Sequence, residues 1–408
     1  MIKVIDLIIY WSIVLMPFSV AIAPGIANTF IGFFVAFFVI KKIIQRKGPT
    51  VDKSVLIPFI CLIAISLLSF VNSVNYNSSF GGIIKLLKYL FIFVVCSEEV
   101  RDKKHIQRIV LSACCGITLV GIDAFWQFIF GKDFIHGINV HYNIGLARAS
   151  ASFPNPNVFG VYMTALTPLI AGLAIMYSKG KNRIWMILSS IIALGGILLT
   201  FSRGSALAIF VAIIFLCIAA KKKLIIWLLV ALVIISPFIM PKSIKDWAKE
   251  IHYNPLVFML NDDRISIYSN TFNMIAHHPV IGVGVNTFSL NYGKYKTESA
   301  EKYKQTADTI YSHDIFLQMT GETGFLGLFV FLWFMFSVFQ AGASALRKLK
   351  DEYLRIIGLS LIACIIAFLI NGLTETSLYY PRVCMVFWYV IGVLLSLRRL
   401  SVSYEKQG

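Results

Sequence analysis

His313 is the residue of this chain best suited to acid–base chemistry, because it opens an apolar block directly after the polar residues Tyr311 and Ser312. An imidazole titrates near neutral pH and can act as a general base at the edge of a membrane. Gln318 and Glu322 follow on the same predicted helix, and Gln318 is a candidate substrate contact. A lone histidine at an interface is also compatible with an ordinary amphipathic residue, and spacing alone does not separate the two interpretations.

Arg203 is a candidate for binding an anionic substrate. It lies in the break Thr200-Phe201-Ser202-Arg203-Gly204 between two apolar blocks. A guanidinium in such a turn presents a rigid fork that matches the oxygens of a diphosphate, and the glycine permits close approach. The alternative is an arginine that reaches lipid phosphate at the membrane surface.

Arg264 is the second candidate cation. Asp262 or Asp263 can cap a helix that runs to about His277, which would place Arg264 in the first helical turn. The helix dipole disfavours a cation there, so an anionic ligand is indicated. An ion pair with one of the two aspartates is the alternative.

Four further basic residues are candidate contacts. Lys85 and Lys88 lie one turn apart in an apolar block, where two ammonium groups are costly unless they face a polar cavity or reach the interface. We therefore expect them either to bind the same diphosphate or to extend to the membrane surface. Arg148 and Arg382 lie in segments predicted to face outward and are candidate donor or acceptor contacts.

Composition predicts the elements that must position these residues. Of 408 residues, 58% are hydrophobic and 14% charged, and the apolar residues form about twelve blocks of membrane-spanning length. The sequence therefore predicts an all-α polytopic membrane protein. The net charge of +17 is distributed between the apolar blocks rather than in one patch, which argues against nucleic-acid binding.

The distribution of basic residues predicts the orientation. Most of the 37 lysines and arginines flank alternate ends of the apolar blocks, so both termini are predicted to be cytoplasmic. Residues 1–240 then hold helices 1–9, and 241–312 form a large outward loop with amphipathic helices. Residues 313–408 hold helices 10–12 and a short cytoplasmic tail. Gly321, Gly324 and Gly327 predict a face on helix 10 against which another helix packs.

Several kinds of site are not predicted. The seven cysteines all lie in apolar blocks, which excludes a disulfide framework or a zinc site. The pair His277-His278 lacks further ligands at metal spacing, and Gly282-Val283-Gly284 lacks the context of a nucleotide-binding turn. We expect neither a metal nor a cofactor.

Three motifs in this order resemble the O-antigen ligase and O-antigen polymerase superfamily of bacterial inner-membrane glycosyltransferases. They are the Ser-Arg-Gly turn at Arg203, the Arg264 helix with its run His-Pro-Val-Ile-Gly-Val-Gly-Val-Asn-Thr-Phe, and His313 followed by Glu-Thr-Gly-Phe-Leu-Gly. The resemblance covers about residues 148–330. One departure is Asp314, where relatives often carry Asn, Ser or Gln.

The resemblance implies an O-antigen ligase that transfers a glycan from undecaprenyl diphosphate to a hydroxyl of lipid A–core, without a metal, on the periplasmic side of the inner membrane. His313 would be the base, and Arg203, Arg264, Lys85 and Lys88 would bind the diphosphate. The alternatives within the superfamily are a polymerase and a protein O-oligosaccharyltransferase. From another class, a lipid-linked glycan transporter remains open.

Overall fold

The protein is almost entirely helical in a computed structural model, which describes residues 1–143, 145–177, 182–250, 252–297 and 310–405. The apolar blocks of the first part form nine helices: α1 (Ile2–Ile22), α2 (Pro24–Gln45), α3 (Lys53–Leu68), α4 (Tyr76–Glu99), α5 (Lys103–Phe130), α6 (Pro156–Met176), α7 (Asn182–Leu199), α8 (Arg203–Ala219) and α9 (Lys223–Ile239). The helices that follow are α10 (Lys242–Glu250), α11 (Pro255–His277), α12 (Phe288–Asn291), α13 (Ile315–Lys348), α14 (Glu352–Asn371) and α15 (Pro381–Glu405).

The remaining regular elements are short. A two-stranded antiparallel hairpin joins β1 (His141–Asn143) to β2 (Leu146–Arg148). Within the described ranges, three 3-10 turns complete the regular structure: Ser69–Asn72, Tyr292–Tyr295 and Ser377–Tyr379.

The prediction of an all-α polytopic membrane protein is confirmed. Nine helices within the described ranges are long and apolar enough to cross a membrane, and α9 with α10 forms a further bent candidate with an angle of 79°. The apolar helices α7 and α8 are shorter. Each predicted apolar block thus coincides with a helix, while the number of spans, about twelve, stays a prediction.

Helices α6 and α15 form the centre of the bundle. In each, 89% of the most apolar window is buried. Helix α6 packs against α14, and α15 packs against α4. The loops before α6, α8, α13 and α15 lie together at one end of the bundle, since Arg148 Nε donates to Thr200 O, Asn157 Nδ2 to Glu375 Oε1 and Ile315 N to Gly372 O. We call this end the site end.

The opposite end of the bundle is closed by ion pairs. Lys41, only 2% exposed, lies 2.5 Å from Asp6 and 2.8 Å from Glu99, so that the start of α1 and the ends of α2 and α4 lie in one layer. Lys103 lies 2.6 Å from Asp351 and joins the start of α5 to that of α14. These are the ends that the basic residues predict to be cytoplasmic, and the grouping agrees with that topology, although orientation in the membrane stays a prediction.

Helix α13 is broken at Gly324, and a separate segment of the chain packs into the break. Gly324 has φ 69° and ψ −174°. The exposed backbone groups are paired by residues 279–284: Val283 N donates to Gly321 O at 2.9 Å, Gly284 N to Glu322 O at 3.0 Å, and Phe325 N to Pro279 O at 2.8 Å. We call this arrangement the interlock of residues 279–284 with 321–326.

The interlock corrects the prediction for the glycine face. A Cβ at Gly324 would lie 2.0 Å from Val280 O, so this glycine admits an extended backbone segment rather than a helix. A kinked helix frees N–H and C=O groups that must be satisfied away from water. The run His-Pro-Val-Ile-Gly-Val-Gly therefore has a structural task, which is to complete the hydrogen bonding of α13.

The predicted start of the Arg264 helix is wrong. Helix α11 begins at Pro255, which suits the first turn of a helix, so Asp262 and Asp263 lie in its interior and do not cap it. Arg264 is therefore not in a first turn, and its partner must be sought elsewhere. The inner face of α11 includes Ile267 and Met274, which pack in a cluster with residues that follow the interlock.

We expect Gly324→Ala to destabilise the protein. The left-handed backbone at this position and the contact with Val280 O both oppose a Cβ, and such strain typically costs about 1–3 kcal/mol. Thermal unfolding of the purified protein in detergent would measure the loss. Gly32→Ala on α2 is the matched control, since a Cβ there meets nothing within 4 Å. Equal unfolding temperatures for both variants would contradict the role of the interlock.

Candidate functional site

A cleft of about 280 Å³ opens at the site end. Its lining comes from the hairpin, the start of α6, the residue before the N-cap of α13 and the loop between α14 and α15. The lining residues are His141, Tyr142, Asn143, Arg148, Asn155, Pro156, Asn157, His313, Glu375 and Tyr380. The cleft thus brings together residues that are far apart in the sequence, including His313 and Arg148 from the predicted set.

Glu375 is the centre of the polar contacts, and sequence reasoning missed it. Its side chain is only 2% exposed. Oε1 accepts hydrogen bonds from Arg264 Nη2 at 2.5 Å and from Asn157 Nδ2 at 2.7 Å. Oε2 lies 3.5 Å from His313 Nδ1. One carboxylate thereby connects α11, α6 and the segment before α13.

The ion pair of Arg264 with Glu375 was not predicted, and the alternative pairing with Asp262 or Asp263 stays a prediction. The pairing with Glu375 joins residues 111 positions apart in the chain. The signal available in the sequence was weak: a single acidic residue in the polar break Asn371-Gly372-Leu373-Thr374-Glu375 between two apolar blocks. Acids inside membrane proteins are rare and often functional, so this break merited the same weight as the arginines.

Arg148 is held by the bundle and directed toward the same carboxylate. Its Nε donates to Thr200 O at 2.7 Å, and its Nη2 donates to Asn157 Oδ1 at 2.7 Å. Burial lowers the pKa of Arg148, and the charge of Glu375 opposes that change. A network therefore runs from Arg148 through Asn157 to Glu375.

Arg203 lies at the first position of α8, beside this network. Its charge interacts with those of Arg264 and Arg148. The turn that carries it packs closely on the loop of Glu375, because a Cβ at Gly204 would lie 1.9 Å from Thr374 Oγ1. Three guanidinium groups thus share one neighbourhood with the carboxylate of Glu375.

The backbone at His313 is fixed by its neighbours. His313 has a left-handed conformation with φ 54°, and Ser312 N donates to Gln318 Oε1 at 2.9 Å. The N-cap of α13 is Asp314, and its carboxylate accepts from Phe316 N at 2.7 Å. Burial raises the pKa of Asp314 to about 6, although these backbone hydrogen bonds oppose the rise. His313 keeps 26% of its side chain exposed to the cleft.

Two predicted contacts have structural roles instead. Gln318 is fully buried, and besides holding Ser312 it donates to Glu322 Oε1 at 3.1 Å, so its amide is used within the protein. Arg382 donates to backbone oxygens of Val20, Ala21, Ile22 and Ser152 and lies over the ring of Phe153. These contacts hold Gln318 and Arg382 within the protein, and substrate contact by either residue is not supported.

Lys85 and Lys88 do not line the cleft. Lys85 is exposed and donates to Asn286 Oδ1 at 3.1 Å, and Lys88 Nζ lies 5.3 Å from the centre of the Tyr89 ring. Asn286 N in turn donates to Glu322 Oε2 at 2.7 Å, so Lys85 contacts the segment after the interlock. Their placement differs from that of the three arginines, and binding of the same diphosphate by all five residues is not supported.

Comparison with family models finds a match over less than half of the chain. Residues 188–332 match the family model described as O-antigen ligase. The matched segment includes Arg203, Arg264 and His313, whereas Arg148 and Glu375 lie outside it. No curated protein matches the chain.

Members of that family are glycosyltransferase-like enzymes. Within the part of the chain that the structure describes, no group of three or more His, Cys, Asp or Glu residues could hold a metal ion. The absence of such a group tests neither the reaction nor its cofactors. The site offers cations, the carboxylate of Glu375 and the imidazoles of His313 and His141.

We expect Glu375→Gln to destabilise the protein by about 3 kcal/mol, because loss of one partner leaves a buried charge uncompensated. Thermal unfolding in detergent would measure the effect. Adding Arg264→Gln should recover part of the stability, since it removes that charge. Glu352→Gln at the exposed start of α14 is the control. Wild-type stability of Glu375→Gln would show that the carboxylate does not stabilise the site.

Proposed function

We propose that this protein transfers a glycan from undecaprenyl diphosphate to the hydroxyl group of an acceptor. The observation that carries the proposal is the grouping of guanidinium groups with His313: Arg264 contacts Glu375, which lies 3.5 Å from His313 Nδ1. Such a site can bind a diphosphate and accept a proton within a few ångströms. The match of residues 188–332 to the O-antigen ligase family model supports the same reaction class.

The chemistry assigns a task to each group. The acceptor oxygen attacks the anomeric carbon of the donor sugar while the bond from that carbon to the diphosphate oxygen breaks. His313 takes the proton of the attacking hydroxyl, and the lipid diphosphate leaves with the electron pair. Arg203 and Arg264 stabilise the charge that grows on the diphosphate, with Arg148 close by.

Glu375 supports the base in this mechanism. When His313 is protonated, its positive charge lies 3.5 Å from Glu375 Oε2, and the carboxylate stabilises the imidazolium. Arg264 and Asn157 hold Glu375 Oε1 and so fix the orientation of the carboxylate. Glu375 is a positioning residue rather than the base itself, because its charge is already compensated by Arg264.

The same residues argue against a transporter. A transporter would be expected to place ionisable groups near the centre of the membrane, between repeated halves. Here the network of Arg148, Arg264 and Glu375 joins a hairpin, a loop helix and an interhelical loop at the site end. We place this end at the periplasmic face of the inner membrane, with both termini cytoplasmic, from the distribution of basic residues.

Substitution of the three central residues tests the reaction. We expect His313→Ala, Arg203→Ala and Arg264→Ala each to reduce glycan transfer strongly, since loss of a general base typically lowers the rate by ~10²–10⁴-fold. The measurement is transfer by purified protein, with membrane insertion checked in parallel. His277→Ala is the matched control, because His277 is exposed at the end of α11. Normal transfer by His313→Ala would remove it from the mechanism, and full activity of Arg264→Lys would argue against bidentate binding.

For the acceptor we favour lipid A–core, which makes the protein an O-antigen ligase. The segment 241–312 carries lysines that can meet the phosphates of a lipopolysaccharide core: Lys242, Lys245, Lys249, Lys294, Lys296, Lys302 and Lys304. Lys302 and Lys304 lie outside the described residues. A solvated cationic loop beside anionic lipid fits the same lysines, so the acceptor requires a separate test.

A strain deleted for this gene distinguishes the acceptors. Ligase function predicts polymerised glycan on undecaprenyl diphosphate together with unmodified lipid A–core, because synthesis continues while the final transfer is lost. Mass analysis of the extracted carrier and of the lipopolysaccharide provides the measurement. Single repeats on the carrier would favour the polymerase, and loss of a protein-bound glycan would favour the protein O-oligosaccharyltransferase.

A further inference from the structure

The hairpin supplies a wall of the cleft that the proposed mechanism does not use. Three lining residues, His141, Tyr142 and Asn143, come from β1. His141 is paired directly with Arg148 across the hairpin. Opposite residues of an antiparallel pair share one face, so the His141 ring lies beside the Arg148 side chain, and Asn143 follows on the same face.

Unpaired polar atoms single out His141 within this wall. Among the described residues, three lining the cleft have a buried polar atom without a hydrogen-bond partner: His141 Nε2, His313 Nδ1 and Glu375 Oε2. Buried polar atoms of native proteins are normally paired, so each unpaired one calls for an explanation. The proposed reaction uses His313 and Glu375. The proposed reaction assigns no role to His141 Nε2.

The chemistry of the wall is that of a neutral hydrogen-bonding surface. Burial, and secondarily the charge of Arg148, lower the pKa of His141, which keeps its ring neutral at neutral pH. A neutral imidazole has one donor and one acceptor, and the Asn143 amide has both as well. Tyr142 adds an aromatic ring that is 75% exposed. These groups suit hydroxyl groups and the apolar face of a sugar better than they suit a phosphate.

We propose that His141, together with Asn143, hydrogen-bonds hydroxyl groups of the donor sugar attached directly to the diphosphate. This assignment rests on the proposed function and extends it to the recognition of the glycan. The position of Arg148 indicates that the sugar bound by His141 belongs to the donor rather than to the acceptor. Arg148 belongs to the cations beside Glu375, and the first donor sugar is joined to the diphosphate through a single oxygen, so both must lie close together.

Two ligands separate sugar recognition from diphosphate binding. One is undecaprenyl diphosphate, and the other is the glycan-bearing carrier extracted from the strain deleted for this gene. We expect His141→Ala to weaken binding of the glycan-bearing carrier by about 3- to 10-fold, the range that one neutral hydrogen bond provides, and to leave undecaprenyl diphosphate unchanged. His141→Gln, which keeps a neutral donor and acceptor, should restore part of the affinity. His277→Ala is the control and should change neither.

The outcomes distinguish this inference from the proposed function. Equal weakening for both ligands would show that His141 merely supports the hairpin and Arg148, and would overturn the inference. Unchanged binding of both, or a change confined to the KM of the acceptor, would overturn it as well. If the wild-type protein binds undecaprenyl diphosphate but His141→Ala does not discriminate, the inference alone fails. If the wild-type protein does not bind undecaprenyl diphosphate, the proposed function fails and the inference with it.

Discussion

The buried carboxylate of Glu375 is the constraint around which the site end is arranged. A charge that is 2% exposed must be compensated within the protein, and Arg264 and Asn157 provide that compensation. These partners come from α11 and α6, and His313 Nδ1 lies 3.5 Å from the other oxygen. Because all these segments must converge to compensate the charge of Glu375, α11 cannot move away from the bundle without a cost in free energy.

A second constraint fixes the histidine from the side of its own helix. The break at Gly324 requires donors and acceptors from residues 279–284, which tie the end of the α11 segment to α13. Glu322 adds to this connection, since it accepts from Asn286 N, Phe288 N and Tyr379 Oη. Gln318 then joins Glu322 to Ser312, one residue before His313. The hydrogen bonds that satisfy the broken backbone of α13 therefore belong to the same set of contacts that positions the imidazole of His313.

The sequence predicts well what the membrane imposes. Helices must satisfy their backbone groups internally, so hydropathy alone locates the twelve apolar helices. Residue types also single out Arg203, Arg264 and His313 as candidate site residues. Glu375 was not predicted as a site residue, because only the fold brings the loop before α15 next to α11. Arg382 was misjudged because a guanidinium whose donors are bound to backbone oxygens has the same sequence signature as one that binds substrate.

The balance of charge explains how such a site can favour reaction over mere binding. Arg148, Arg203 and Arg264 lie close to Glu375, so the neighbourhood is rich in fixed cations. Under the proposed function a glycan-bearing diphosphate brings about two negative charges, and the leaving diphosphate gains more as its bond to the sugar breaks. Fixed cations therefore stabilise the transition state more than the bound donor. Glu375 reduces the attraction between these cations and the bound diphosphate in the ground state. Once His313 is protonated, Glu375 compensates the charge of a second cation, so the carboxylate also favours the later stage of the reaction.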